Sequence, residues 1–163
     1  MLFSEQRSAA KLQRDSSGQR RSLLSDLVAS FNSAFPAIQY QVFTELDLLN
    51  GQALVLGLDR IVRLYGGLAL HPSVSRDGLA FALLHETGHH LAAGARLPWN
   101  PLMACECAAD AWAYSVGREA LGRSSGWFVN MAKAVGEVSA LIATEENGPS
   151  IFPKTNATDC GTC

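Results

Sequence analysis

HETGH at residues 85 to 89 sets His85 and His89 four apart with Glu86 beside the first, and ECAAD at 106 to 110 sets Glu106 four before Asp110. On a helix, residues four apart share a face with Cβ atoms about 5 to 6 Å apart, so both imidazoles reach one ion. Zn–N bonds of about 2.0 to 2.1 Å in a tetrahedral arrangement need the two nitrogens a little over ~3 Å apart, which converging rotamers deliver. Glu86 lies about 100° round the helix from His85 and flanks the ion without having to bind it. That is where a base is needed. Zinc lowers the pKa of its water towards ~7, and a neighbouring carboxylate takes the proton and passes it to a leaving amine.

Two histidines leave such a site incomplete, because a catalytic zinc takes three protein ligands and keeps one position open. Glu106 follows His89 by seventeen positions. The residues between hold the end of one helix, a turn at 94 to 99 and the start of another, a connection that allows an antiparallel return and sets Glu106 opposite the histidines. Asp110, one turn further on the same face, is placed to accept the other ring N–H of a ligand histidine and fix its tautomer.

With HETGH and ECAAD both intact, residues 50 to 121 resemble the gluzincins, the thermolysin-like zinc metallopeptidases, and the stretch after Glu106 is also similar to the very small minigluzincins. The resemblance implies an α+β, zincin-like fold: a small twisted mixed sheet backed by an N-terminal helix, with an active-site helix and a following glutamate helix. It implies zinc as the cofactor and a peptide or protein as substrate, held extended against an edge strand, for which IVRLYGGLAL (61 to 70) is the candidate. Many gluzincins bring a further His, Tyr or Arg from a C-terminal region to stabilise the oxyanion. No His follows Asp110 in this chain. Tyr114 is the candidate for that role, with His71 and Tyr65 as alternatives. A second reading is a non-catalytic binding or regulatory module in which zinc is structural and the cleft docks a partner's strand or the chain's own tail. Glu86 argues against it, since a structural site needs no base. A hydrolase acting on another bond is a third, because the motif specifies water activation and not the bond.

The elements that must position these residues are legible in outline. Residues 5 to 31 read mostly as helix, interrupted at Ser16, Ser17 and Gly18, with basic residues early and Leu23, Leu24, Leu27, Val28 and Phe31 at helical spacing later. AIQYQVF (37 to 43) alternates as a half-buried strand does, and ALVLGL (53 to 58) and 61 to 70 follow as strands. Asp59 and Arg60 are expected in the turn between them, and Gly66 and Gly67 mark a bulge or a close backbone approach. Residues 78 to 93 carry a helical pattern closed by Gly94. Asn100 and Pro101 read as the cap and first residue of the next helix, with Gly122 as its stop. A third helix is expected at about 126 to 144. The domain plan is an N-terminal helical segment (1 to 35) on a zincin-like catalytic domain (36 to 146), then an irregular tail (147 to 163).

The remaining functional residue types carry smaller readings. His90 points about 100° away from His89 and reads as a surface residue or a neighbour of the site. In a helix over 101 to 121, Cys105 and Cys107 point to opposite sides and cannot bond to each other; they read as free, small, buried side chains. Cys160 and Cys163 form a C-x-x-C that suits a disulfide, a redox pair, half a metal site or a thiolate folded back on the zinc.

Composition sets the outer bounds. A chain of 163 residues with 48% apolar and 17% charged residues suits one domain with its own core. A net charge of −2 gives no electrostatic reason to expect nucleic acid or an anionic membrane as partner. No stretch is long and apolar enough for a membrane span, and MLFSEQRSAAKLQRD lacks the apolar region of a secretory signal, so the expected compartment leans cytoplasmic. Oligomeric state is not legible.

Overall fold

The computed structural model describes residues 14 to 146. The Ser17 hydroxyl accepts the Arg20 backbone N–H and opens helix α1 (Gly18–Ala34), a role serine suits because its short side chain satisfies a free N–H of the first turn. The chain is non-helical at Ser16 and Ser17, where an interruption is expected, and Gly18 is the first residue of α1. Residues 5 to 13 of the expected helix lie outside the described residues. Leu24, Leu27 and Phe31 of α1 are buried, and the Phe31 ring meets Tyr40 edge-on with centroids 5.2 Å apart, which fastens the helix to the first strand.

Strands β1 (Gln39–Phe43), β2 (Gly51–Leu56) and β3 (Asp59–Tyr65) form one mixed sheet in the order β1-β3-β2, with β1 parallel and β2 antiparallel to β3. Three expectations change here. The turn is Gly57-Leu58, with Gly57 at φ 62°, and Asp59 and Arg60 already belong to β3; a two-residue hairpin favours glycine at a position with positive φ. The strand expected over 61 to 70 ends at Tyr65, and Gly66–Ala69 forms the short helix α2. A Cβ on Gly66 would overlap the Thr44 carbonyl, and one on Gly67 would sit 2.6 Å from the Leu48 carbonyl oxygen, so this pair marks a close backbone approach. Finally, β3 is the central strand, not an edge; the edges are β1 and β2, and among the described residues no further strand pairs with either.

Helix α3 (Arg76–Leu91) carries the HETGH residues, capped by the Ser75 hydroxyl, which accepts the Asp77 N–H. Helix α6 (Met131–Glu146) supplies Glu137, whose Oε2 accepts both the N–H and the hydroxyl of Ser75 at 2.9 and 2.8 Å. A carboxylate at a helix N-terminus is favoured by the free N–H groups there. Leu79, Leu83 and Leu84 of α3 join Leu27, Phe31, Val62 and Leu64 in the main core.

The helix expected to begin at Pro101 begins later. Residues 96 to 104 form a small hairpin, β4 (Arg96–Leu97) and β5 (Asn100–Ala104). Asn100 does satisfy a following N–H, that of Leu102 at 3.2 Å, but in a turn and not as a helix cap, the alternative use that its short amide always offers. Helix α4 (Glu106–Trp112) follows from Cys105, then a π-helical turn (Ala113–Gly117) and α5 (Arg118–Ser125), closed by Gly126 at φ 70°. Gly122, the expected stop, lies inside α5, where a Cβ would strike the Phe128 ring. The third helix starts at Met131 and not near 126. Cys105 is free and buried while Cys107 is disulfide-bonded, so the two are not joined to each other but only the first is free. Cys160 and Cys163 and the tail reading lie outside the described residues. Among the described residues no helix is long and apolar enough to cross a membrane.

Candidate metal centre

Helices α3 and α4 bring His85, His89 and Glu106 together: one ligand atom from each falls within 4.8 Å of the others. Glu106 Oε2 lies 3.1 Å from His85 Nε2 and 3.6 Å from His89 Nε2. This placement rests on the hairpin, which turns the chain so that Glu106 opens α4 facing α3. The two imidazoles stand 4.8 Å apart, nearly perpendicular, as side chains one helical turn apart can.

The other ring nitrogen of each histidine is occupied. His89 Nδ1 lies 2.8 Å from the Ala104 carbonyl oxygen at the end of β5, and a carbonyl only accepts, so Nδ1–H donates there and Nε2 is the nitrogen left to face Glu106. His85 Nδ1 lies 2.7 Å from Asp110 Oδ1. Each ring is therefore oriented from behind, one by backbone and one by a carboxylate, with both Nε2 atoms turned to Glu106. Such outer partners are what metal-ligating histidines use to fix tautomer and direction. The donor set of two imidazoles and one carboxylate fits a divalent ion.

The charges follow from this geometry. Burial pushes the His85 ring down, but hydrogen bonds to Asp110 and Glu106 and the nearby Glu86 charge more than offset it and hold its pKa up at about 10. The Glu106 carboxyl is held below its ordinary value, chiefly by the hydrogen bond from His85, against the opposing effect of its own burial.

Close packing of α3 on α4 depends on Gly88, the fourth residue of HETGH. A Cβ there would lie 2.6 Å from the Ala109 carbonyl oxygen and 2.8 Å from its Cα. Sequence reading passed over this residue, although a glycine inside a helix costs about 1 kcal/mol relative to alanine and so signals a packing reason. Glu86 lies against the start of β2: a Cβ on Gly51 would come within 3.1 Å of its Cγ and 3.3 Å of its Oε1. The base candidate is thus beside the edge strand. Past it, Ala53 and Val55 of β2 pack with Leu97, Met103, Cys105, Cys107 and Ala108 into a small apolar wall.

The remaining candidates make their contacts outside the His85, His89 and Glu106 cluster. Tyr114 stands on the π-helical turn, about half exposed, with its ring edge-on to Phe81 at 5.8 Å; Phe81 lies 6.5 Å from the His85 ring. The Tyr65 hydroxyl donates to Gln52 Oε1, and His71 Nδ1 accepts the Ser73 N–H in the turn before α3. His90 is not a surface residue. It is 5% exposed and its Nε2–H donates to the Ile61 carbonyl of β3 at 3.0 Å, because the face of α3 that it occupies lies on the sheet.

No family model matches the sequence, and neither a curated protein nor a solved structure is detectably similar to it.

Proposed function

We propose that the chain is a zinc-dependent peptidase of the gluzincin type, zincin-like in fold, with zinc held by His85, His89 and Glu106. The observation that carries this reading is the convergence of those three side chains with Asp110 behind His85 and Glu86 left beside an unpaired strand edge. A purely structural ion has no use for the last of these.

Zinc bound there supplies Lewis acidity to a water and to a substrate carbonyl. Glu86 takes the proton of the attacking water at its carboxylate and delivers it to the departing amine nitrogen as the C–N bond breaks. Asp110 keeps His85 directed at the ion, and Tyr114, whose ring packs on Phe81 next to His85, is assigned to the oxyanion.

The substrate strand pairs with β2. Tyr65 N–H bonds to the Asn50 carbonyl, and Leu56 faces Asp59 across the two-residue turn. In an antiparallel ladder, bonded and non-bonded pairs alternate, so Gly51, Ala53 and Val55 direct their N–H and C=O groups away from β3. No other strand among the described residues takes that edge. An extended peptide added there has its backbone next to Glu86, as peptide recognition by strand addition requires.

The test is metal analysis and cleavage of a peptide library by the wild type, Glu86→Ala and Glu106→Ala. The expected result is stoichiometric zinc in the first two, zinc loss in the third, and cleavage by the wild type alone. Zinc-loaded wild type that cleaves no peptide would leave the binding-module reading in its place.

A further inference from the structure

Helix α3 meets the sheet through two polar contacts in a face that is otherwise apolar. Thr87 is fully buried and donates its hydroxyl proton to the Leu83 carbonyl at 2.6 Å. Its oxygen lies 2.8 Å from the Tyr40 hydroxyl, and since the threonine proton is already used, Tyr40 donates. His90 donates to Ile61, as above. The first contact reaches β1 and the second β3, so the helix is held by two different strands.

We infer that Tyr40, Thr87 and His90 are positioning residues that fix the rotation of α3 about its own axis, and with it the aim of His85, Glu86 and His89. At about 100° per residue, Thr87 and His90 point roughly 60° apart, and lie about 180° and about 120° respectively from the midline of the two histidines. Leucine and alanine packing resists separation of helix and sheet but has no direction, whereas two hydrogen bonds to different strands specify one angle. The angle matters because side-chain tips lie ~5 Å from a helix axis, so a turn of about 10° moves them by about 1 Å. Displacements of that size cost on the order of a hundredfold in rate. The carriers are in the motif itself: Thr87 sits between the base and the second ligand.

The inference rests on the proposed metal centre, and the experiment separates the two. Thr87→Val keeps the volume and removes the hydroxyl; Thr87→Ser restores it; Tyr40→Phe removes the donor while Thr87 keeps its bond to Leu83. Each is loaded with cobalt(II), whose visible bands report ligand geometry whether or not peptide is cleaved, and each is assayed for kcat and KM. Thr87→Val and Tyr40→Phe are expected to shift the bands and lower kcat by about tenfold or more with KM within about twofold, and Thr87→Ser to return both towards wild type. Wild-type bands in Thr87→Val overturn the inference, as does a Thr87→Ser protein as impaired as the valine variant. If the wild type binds cobalt but cleaves nothing, the peptidase reading fails and the bands alone still decide the lock.

Discussion

Asp110 Oδ1 and His85 Nδ1 lie 2.7 Å apart, joining two helices through a carboxylate that is itself half exposed. The contact turns the ring so that its other nitrogen meets Glu106. Asp110→Ala is expected to weaken metal binding by about 10- to 100-fold while the fold persists, as loss of a partner behind a ligand histidine commonly does. Competition against a graded series of chelators measures it; affinity equal to wild type would show that His85 needs no such support.

Gly88 governs the same junction from the backbone side. Adding one methyl places it 2.6 Å from the Ala109 carbonyl oxygen, backbone that cannot swing aside as a side chain can. Gly88→Ala is expected to lower stability by roughly 1 to 3 kcal/mol, the usual range for overpacking, despite the better helix propensity of alanine. It also moves Glu106 away from the histidines. Thermal unfolding and metal content together check this, and a stabilised, fully loaded variant would contradict it.

Metal loading must displace a proton. In the metal-free protein His85 stays protonated up to about pH 10 because Asp110 and Glu106 outweigh the effect of burial, so near neutral pH about one proton should leave per ion bound, and affinity should rise with pH. Calorimetry in two buffers of different ionisation enthalpy counts it. The linkage to folding has the opposite sign. A folded pKa raised above the unfolded value of 6.5 stabilises the metal-free fold fully below that value, and the contribution fades as pH climbs through about 10. Metal-free protein should therefore melt at a lower temperature at the alkaline end of that window, and the loaded protein should not share the loss.

The convergence of His85, His89 and Glu106 is more legible in the sequence than the elements that carry it, for a physical reason. His85, Glu86, His89, Glu106 and Asp110 are tied by helical spacing, which needs only that each motif be helical. Glu106 faces the histidines even though its helix starts five residues later than expected, because the hairpin still reverses the chain. Boundaries were less legible where one local signal serves two structures. Asn100 and Pro101 suit a helix start, yet Asn100 satisfies the Leu102 N–H in a turn. Gly66 and Gly67 were recognised as a close approach, but not as a helix, since it is the nearness of residues 44 and 48 that shapes them. Strand order depends on pairing across the sheet, so the central place of β3 had no signal in its own sequence.

That order makes β2, the strand beside Glu86, one of the two edges, and it yields a position-specific expectation. Ala53 directs its N–H outward, whereas Leu54, in the alternate register, spends its N–H on the ladder to Ile61. Proline lacks the N–H and is tolerated in strands only where that group faces away from the ladder. Ala53→Pro should therefore keep its metal and most of its stability while kcat/KM falls by about tenfold or more, since an extended substrate loses one backbone partner beside Glu86. Leu54→Pro should instead disrupt the sheet, removing a ladder bond in a strand with few residues to spare. Peptide cleavage, metal content and thermal unfolding of the two variants distinguish the roles. Wild-type cleavage by Ala53→Pro would mean that substrate is held elsewhere than on the β2 edge.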